Sequence, residues 1–191
     1  QRKNRPSKPF ALLYPDIQAL QGDVSLAPPL LAALQSPAAP IVLCPLKTMP
    51  QSGIAVAEIA PGLDRIGAML PCASLLDLLA NRFSKPLVAT SGNASRAPIV
   101  FEESALPQLA HIADAYLQHN RAIVVPQDDS VLSFANNQHP IVLRRSRGLA
   151  PTLLLPRLKV GEVPMAALGA EMKGTFTLAY RGNLFVSQYL G

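Results

Sequence analysis

A few short segments of this sequence carry residue types able to handle a phosphorylated ligand. The first runs Arg2-Lys3-Asn4-Arg5-Pro6-Ser7-Lys8-Pro9, a set of cations with no acid among them. Side chains alternate along an extended backbone, so Lys3 and Arg5 point to one side. Such a pair grips a polyphosphate, Lys as a point charge and Arg through paired hydrogen bonds. The second, Thr90-Ser91-Gly92-Asn93-Ala94-Ser95, packs small polar residues behind a strand-like run. The hydroxyl of Ser91 and the amide of Asn93 suit phosphate oxygens or a carbamoyl-sized group. The third, Gln127-Asp128-Asp129-Ser130, offers adjacent carboxylates that face opposite ways in an extended chain, which argues against a shared proton. Asp128 or Asp129 is instead a weak candidate for Mg²⁺ accompanied by phosphates. The fourth ends a strand with Arg144, Arg145 and Arg147, cations that can complete a phosphate clamp. Taken singly, each has a plainer alternative: a basic tail, a polar turn or a solvated face.

The rest of the chemistry-bearing inventory is thin. His111, His119 and His139 have no metal-ligand spacing, and His111 reads as a partly buried structural residue on a helix. Cys44 and Cys72 stand too far apart for a zinc knuckle or a disulfide framework and read as reduced, half-buried thiols of a cytosolic protein. No Ser-His-Asp or Cys-His arrangement supports covalent catalysis, and no catalytic residue is assigned. The loop at 90–95 is neither a G-x-G-x-x-G fingerprint nor a Walker loop.

Charge and composition say where these segments can sit. Lys and Arg total 17 against 12 acids, a net +5. Taking away the seven cations of the two basic clusters turns +5 into −2, so the charge is local rather than spread along a face. Compact clusters fit a nucleotide triphosphate at least as well as a long nucleic acid. Hydrophobic residues make up 49% and charged ones 15%, which excludes a disordered chain. No apolar stretch reaches the roughly 18 residues of a spanning helix.

These segments must be positioned by short elements. Phe10–Leu13, Ile41–Cys44, Ile54–Val56, Leu87–Thr90, Ala122–Val125, Val131–Phe134 and Ile141–Arg144 read as strands, being aliphatic or β-branched runs bounded by Pro, Gly or Asn. Residues 28–35 open with Pro-Pro and read as a short helix. Residues 73–83 place Leu75, Leu76, Leu79 and Phe83 on one helical face. Residues 104–118 read as a helix with Pro107 in its first turn. The alternation predicts an α/β domain on a twisted mixed sheet with flanking helices. A proline-rich stretch near residue 150 suggests a division into a nucleotide-binding domain at 1–150, a linker at 151–164, and strands at 165–191 with a turn at Arg181-Gly182-Asn183. Those last strands cap the first domain or begin a second one. Starting at Gln1 without Met and ending directly after a strand-like run, the chain reads as a fragment.

In combination the motifs are more specific. Lys3-x-Arg5 with Pro6 and Pro9, Ser91-x-Asn93-x-Ser95, Ser130-Val131 and a strand-terminal Arg144 stand in the order seen in YrdC-like proteins. The segments RKNRPSKPFALL, LVATSGNASRAPI, HNRAIVVPQDDSV and LRRSRGLAP resemble the YrdC-like domain of the HypF family of hydrogenase-maturation carbamoyltransferases. The tail ALGAEMKGTFTLAYRGNLFVSQYLG is similar to the opening of that family's carbamoyl-transfer domain.

The resemblance implies a YrdC-like sheet with a positively charged cavity, N-terminally truncated here. It implies ATP and Mg²⁺, carbamate released from carbamoyl phosphate as co-substrate, and carbamoyl-adenylate as product. It further implies HypE as acceptor protein, a cytoplasmic setting, and a role in making the cyanide ligand of nickel–iron hydrogenase. Carried over by position, Lys3 and Arg5 would hold the nucleotide phosphates. Ser91 and Asn93 would take the α-phosphate and carbamoyl end, and Ser130 and Arg144 would close the site. Threonylcarbamoyl-adenylate synthesis for tRNA modification is the enzymatic alternative. Binding of RNA, double-stranded RNA included, is the non-catalytic one.

Overall fold

Short aliphatic runs become strands here because most of them pair on both sides. The computed structural model describes residues 2–3, 8–95, 97–151, 161–169 and 174–189. A mixed sheet is built from β1 (Ala11–Leu13), β2 (Ile41–Pro45), β3 (Arg65–Met69), β4 (Leu87–Ala89), β5 (Val131–Ala135) and β6 (His139–Arg144). Their order is β4-β1-β3-β2-β5-β6, with β1/β3 and β2/β5 parallel and the other pairs antiparallel. A separate antiparallel sheet contains β7 (Met165–Leu168), β8 (Phe176–Tyr180) and β9 (Asn183–Val186). Its last turn is Arg181-Gly182, both at positive φ, so that Tyr180 pairs with Asn183 as a two-residue hairpin requires.

The two faces of the larger sheet meet different surroundings. Leu12, Val42, Cys44, Ile66, Ala68, Leu132 and Phe134 point into the main core. There they meet α1 (Ile17–Asp23), α2 (Pro28–Leu34) and the single turn α3 (Val56–Ile59). Asp16 caps α1 by accepting from the Ala19 amide at 2.7 Å, and prolines open α2 where an amide would be unsatisfied anyway. Buried Asp23 is fully engaged: it accepts from the Tyr14 hydroxyl at 2.7 Å, the Ser52 amide at 2.9 Å and the Ser52 hydroxyl. That network pins the loop after β2 and pushes the Tyr14 phenol far up, through burial first and the Asp23 hydrogen bond second. On the opposite face α4 (Ser74–Phe83) covers only part of the sheet, setting Leu76 and Ala80 against Leu13, Met69, Leu87 and Ala89.

Several expectations are corrected. Ile54–Val56 is not a strand, because Val56 already begins α3. Ala122–Val125 pairs with no strand among the described residues and stays exposed, with Val124 at 87%. The helix expected over 104–118 is a 3₁₀ turn at Glu103–Leu109. Pro107 lies inside it without an amide to donate, and only Leu109 is buried, so little packing extends it. Leu75, Leu79 and Phe83 of the expected apolar face of α4 remain exposed, as does Leu78. Cys44 is fully buried and Cys72 exposed, both free, rather than two half-buried thiols. His111 is exposed. The linker stretch 152–160 lies outside the described residues, and among those described no helix is long and apolar enough to cross a membrane.

Candidate functional site

The uncovered part of the sheet is the floor of a cavity of about 510 Å³. Period-two alternation explains its lining: Ala11 and Leu13, Ile41 and Leu43, Gly67 and Met69 all point to this face, while their neighbours fill the core. Gly67 sits in register between Ala11 and Leu43. The floor is therefore apolar, and the rim is polar: Lys3, Lys8, Thr90, Ser91, Asn93, Ser95, Asp128, Asp129, Arg144 and Tyr189. An apolar platform edged by cations and small donors is suited to a ligand with a flat ring at one end and anionic groups at the other.

Much of the rim is held by its own contacts. Lys3 is 8% exposed and its Nζ donates to the Ser91 carbonyl and the Asn93 carbonyl at 2.5 Å each, and to Asn93 Oδ1 at 2.8 Å. The loop behind it is stitched further: Ser91 Oγ donates to Asn93 Oδ1, Asn93 Nδ2 to the Ala97 carbonyl, and the Val100 amide to the Gly92 carbonyl. A buried ammonium thus fixes the shape of the small-residue loop and leaves its charge beside the cavity. Lys3, Ser91 and Asn93 come together; Arg5 lies outside the described residues. Arg2 turns elsewhere, into a two-pronged exposed pair with Asp114 that holds the Asp114 carboxyl below its ordinary range.

The arginines after β6 divide three ways. Arg144 reaches the cavity, with Nη1 3.3 Å from Asp128 Oδ1 and its guanidinium 5.0 Å from the centroid of the Tyr189 ring. Arg145 donates to the Val186 carbonyl at 3.1 Å, and its partial burial pulls its pKa down. Arg147 is structural: it binds Asp129 at 2.6 Å and the carbonyls of Ala38 and Ala39. Gly148 follows at φ +80°, where a Cβ would stand 2.5 Å from the Ala38 backbone, so this close approach needs glycine. Together these contacts seat the exit of β6 and aim Arg144.

Ser130 is placed apart from the cavity. It is fully buried, donates from Oγ to the Arg147 carbonyl at 2.9 Å and accepts from the Ser146 amide at 2.9 Å, which uses its hydroxyl to tie β5 to the segment after β6. Asp128 and Asp129 line the rim, but each is already paired with an arginine. Among the described residues no group of three or more His, Cys, Asp or Glu is placed to hold a metal ion. Lys8, Cys72 and Tyr189 also line the cavity and were not among the expected site residues. Lys8 belongs to the first basic run and could have been found there; Tyr189 stands far along the chain from every motif.

Comparison with known proteins places this geometry. The family model for Sua5, YciO and YrdC, described as "Telomere recombination", matches residues 1–146. The chain belongs to this family. It is 42% identical to a carbamoyltransferase HypF of Rhodobacter capsulatus, over the whole of this chain and 25% of that protein. A crystal structure of full-length HypF in a phosphate- and nucleotide-bound form superposes with a TM-score of 0.87 at 35% identity, covering all of this chain and 25% of that one. Sua5 of P. abyssi, 17% identical, shares the fold at a TM-score of 0.61 over 76% of this chain and 42% of its own. The chain thus spans about a quarter of the length of the HypF proteins it matches, and the six-stranded sheet with its flanking helices is the YrdC-like arrangement.

Proposed function

We propose that this chain is the nucleotide-binding part of a HypF-type carbamoyltransferase, forming carbamoyl-adenylate from ATP and carbamate. One observation carries the reading: the cavity joins an apolar sheet floor to a rim of Lys3, Ser91, Asn93 and Arg144, in a chain that superposes on a nucleotide-bound HypF. Residues 1–150 form the nucleotide domain, 151–164 a linker and 165–191 the first strands of the carbamoyl-transfer unit.

The chemistry suits such a rim. A carbamate oxygen attacks the α-phosphorus of ATP, which enters with its own Mg²⁺, and the bond to the β-phosphate oxygen breaks to release pyrophosphate. Positioning and charge neutralisation dominate reactions of this kind, so cations and oriented donors suffice where no nucleophilic side chain is present. Arg144 is a rim cation suited to the phosphates, and the family resemblance carries the same role to Arg5. Lys3 holds the Ser91–Asn93 loop against the phosphate end. In the complete protein the carbamate comes from carbamoyl phosphate. The carbamoyl group then passes to a cysteine thiol of HypE, releasing AMP, on the way to the cyanide ligand of nickel–iron hydrogenase.

Calorimetric titration of Mg·ATP into the chain tests this. Saturable binding is expected, weakened about tenfold or more in Arg144→Ala, the scale of a lost charge-assisted contact. Absence of binding, or equal affinity in the variant, would refute the reading. Carbamate-dependent pyrophosphate release by the complete protein then tests the reaction itself.

A further inference from the structure

One rim residue comes from beyond the family segment. The family match ends at residue 146, yet Tyr189, just after β9 of the smaller sheet, lines the cavity beside Arg144. The strand exit that carries it is laced to the larger sheet on two sides. The Tyr189 amide donates to the Arg145 carbonyl at 2.8 Å, and Arg145 Nη1 donates to the Val186 carbonyl at 3.1 Å. On the other side Gln188 accepts from Gln127 at 3.3 Å and donates to the Pro126 carbonyl at 3.4 Å. Tyr189 is thereby fixed between the end of β6 and the segment entering β5.

Arg144 stands between two restraints. Asp128 holds one nitrogen of its guanidinium at 3.3 Å, and the Tyr189 ring lies at cation–π distance. The Arg144 side chain is 35% exposed and lacks any other hydrogen-bonding partner among the described residues. A long cation held only by a carboxylate would fold down onto it and present less charge to a ligand. A ring on the guanidinium limits that collapse and forms no competing hydrogen bond, leaving the remaining donors for an anion.

We propose that Tyr189 is a positioning residue: its ring, delivered by the smaller sheet, orients Arg144 toward the phosphates of the bound nucleotide. The site described above is then incomplete without residues 186–189, and the smaller sheet is mechanically tied to occupancy of the cavity. This rests on the nucleotide reading of the cavity.

The test is a set of titrations with Mg·ATP and with adenosine, using the full chain. The variants are Tyr189→Phe, Tyr189→Leu, Arg144→Ala and the double variant Tyr189→Leu/Arg144→Ala, each checked for an unchanged thermal midpoint. Tyr189→Phe keeps the ring and is expected to bind Mg·ATP within about twofold of the parent. Tyr189→Leu is expected to lose about threefold to thirtyfold for Mg·ATP, the range of a cation–π contact, and to bind adenosine as before. In the Arg144→Ala background the Tyr189→Leu loss should vanish, because both changes remove one interaction. Equal Mg·ATP binding by the parent and Tyr189→Leu overturns the proposal. So does a loss shared by adenosine that persists without Arg144, since the ring would then be a ligand wall. Absence of Mg·ATP binding by the parent overturns the nucleotide reading first, and the positioning role with it. If Tyr189→Leu unfolds, failure of Tyr189→Phe to retain binding overturns the proposal.

Discussion

The two cysteines of this chain make an internal occupancy gauge. Cys72 is exposed and lines the cavity; Cys44 is fully buried in β2 on the core face. Burial pushes the Cys44 thiol up to about 12, against the opposing charge of Arg65. The thiolate is the reactive form, so at pH 8 roughly one Cys44 in ten thousand is ionised, against about a tenth of the same thiol at its ordinary value of about 9. Ionisation alone therefore slows Cys44 about a thousandfold, before steric exclusion is counted. The assay is a time course of iodoacetamide labelling at pH 8, read by peptide mass spectrometry. Cys72 should label promptly and Cys44 only after denaturation. Mg·ATP at ten times its Kd leaves about one chain in eleven free, so labelling of Cys72 should slow roughly tenfold. Two results refute the reasoning. Comparable labelling of both cysteines in the native chain would mean that the core face is open. A Cys72 rate indifferent to Mg·ATP, under conditions where calorimetry shows binding, would put the nucleotide elsewhere.

Two further outcomes follow from the fold. Gly148→Ala forces a Cβ to within 2.5 Å of the Ala38 backbone at φ +80°. It should cost at least about 2 kcal/mol of stability in urea titration, with an undiminished midpoint counting against the close approach. The raised Cys44 pKa also makes an alkaline prediction. The folded state holds this proton more tightly than the unfolded chain, so its contribution is full below about pH 9 and is lost as pH climbs toward about 12. Between pH 8 and pH 10 the parent should lose about 1.4 kcal/mol more than Cys44→Val, measured by urea midpoints at both pH values. Equal losses would contradict it.

The parts legible in the sequence were those whose signals are local. Aliphatic runs at Ala11–Leu13, Ile41–Pro45, Val131–Ala135 and His139–Arg144, the proline-opened α2, and the Arg181-Gly182 hairpin all announced themselves through their own residues. β3 did not, although it is central. Arg65-Ile66-Gly67-Ala68-Met69 mixes a cation, a glycine and an alanine, and it becomes a strand because β1 and β2 pair on both sides of it. The reverse happened at Ala122–Val125, β-branched and yet left without a strand to pair with among the described residues. At the site, Lys3, Ser91 and Asn93 do meet, but Ser130 is consumed by the Ser146 amide and the Arg147 carbonyl. Which hydroxyl faces a cavity and which is spent inside is set by register, and a bulge between Val131 and Leu132 adjoins Ser130. The three arginines after β6 look equivalent in sequence and differ only in what lies opposite each. Tyr189 had no signal at all, because its proximity to Arg144 is made by a separate sheet.

Gly67 gives the cavity a property that belongs to the engineer as much as to the enzymologist. It lies on the floor without a side chain, and a methyl group there would come within 3.1 Å of Ile41 Cγ2 and 3.7 Å of Ala11. The neighbour it would press on is itself a floor residue one strand away, so a bump at 67 can be answered by a hole at 41. That pairing is a steric code written in two adjacent side chains. By trading bulk between them, the vessel can be reshaped for an unnatural ligand while Lys3, Ser91, Asn93 and Arg144 on the rim keep their places.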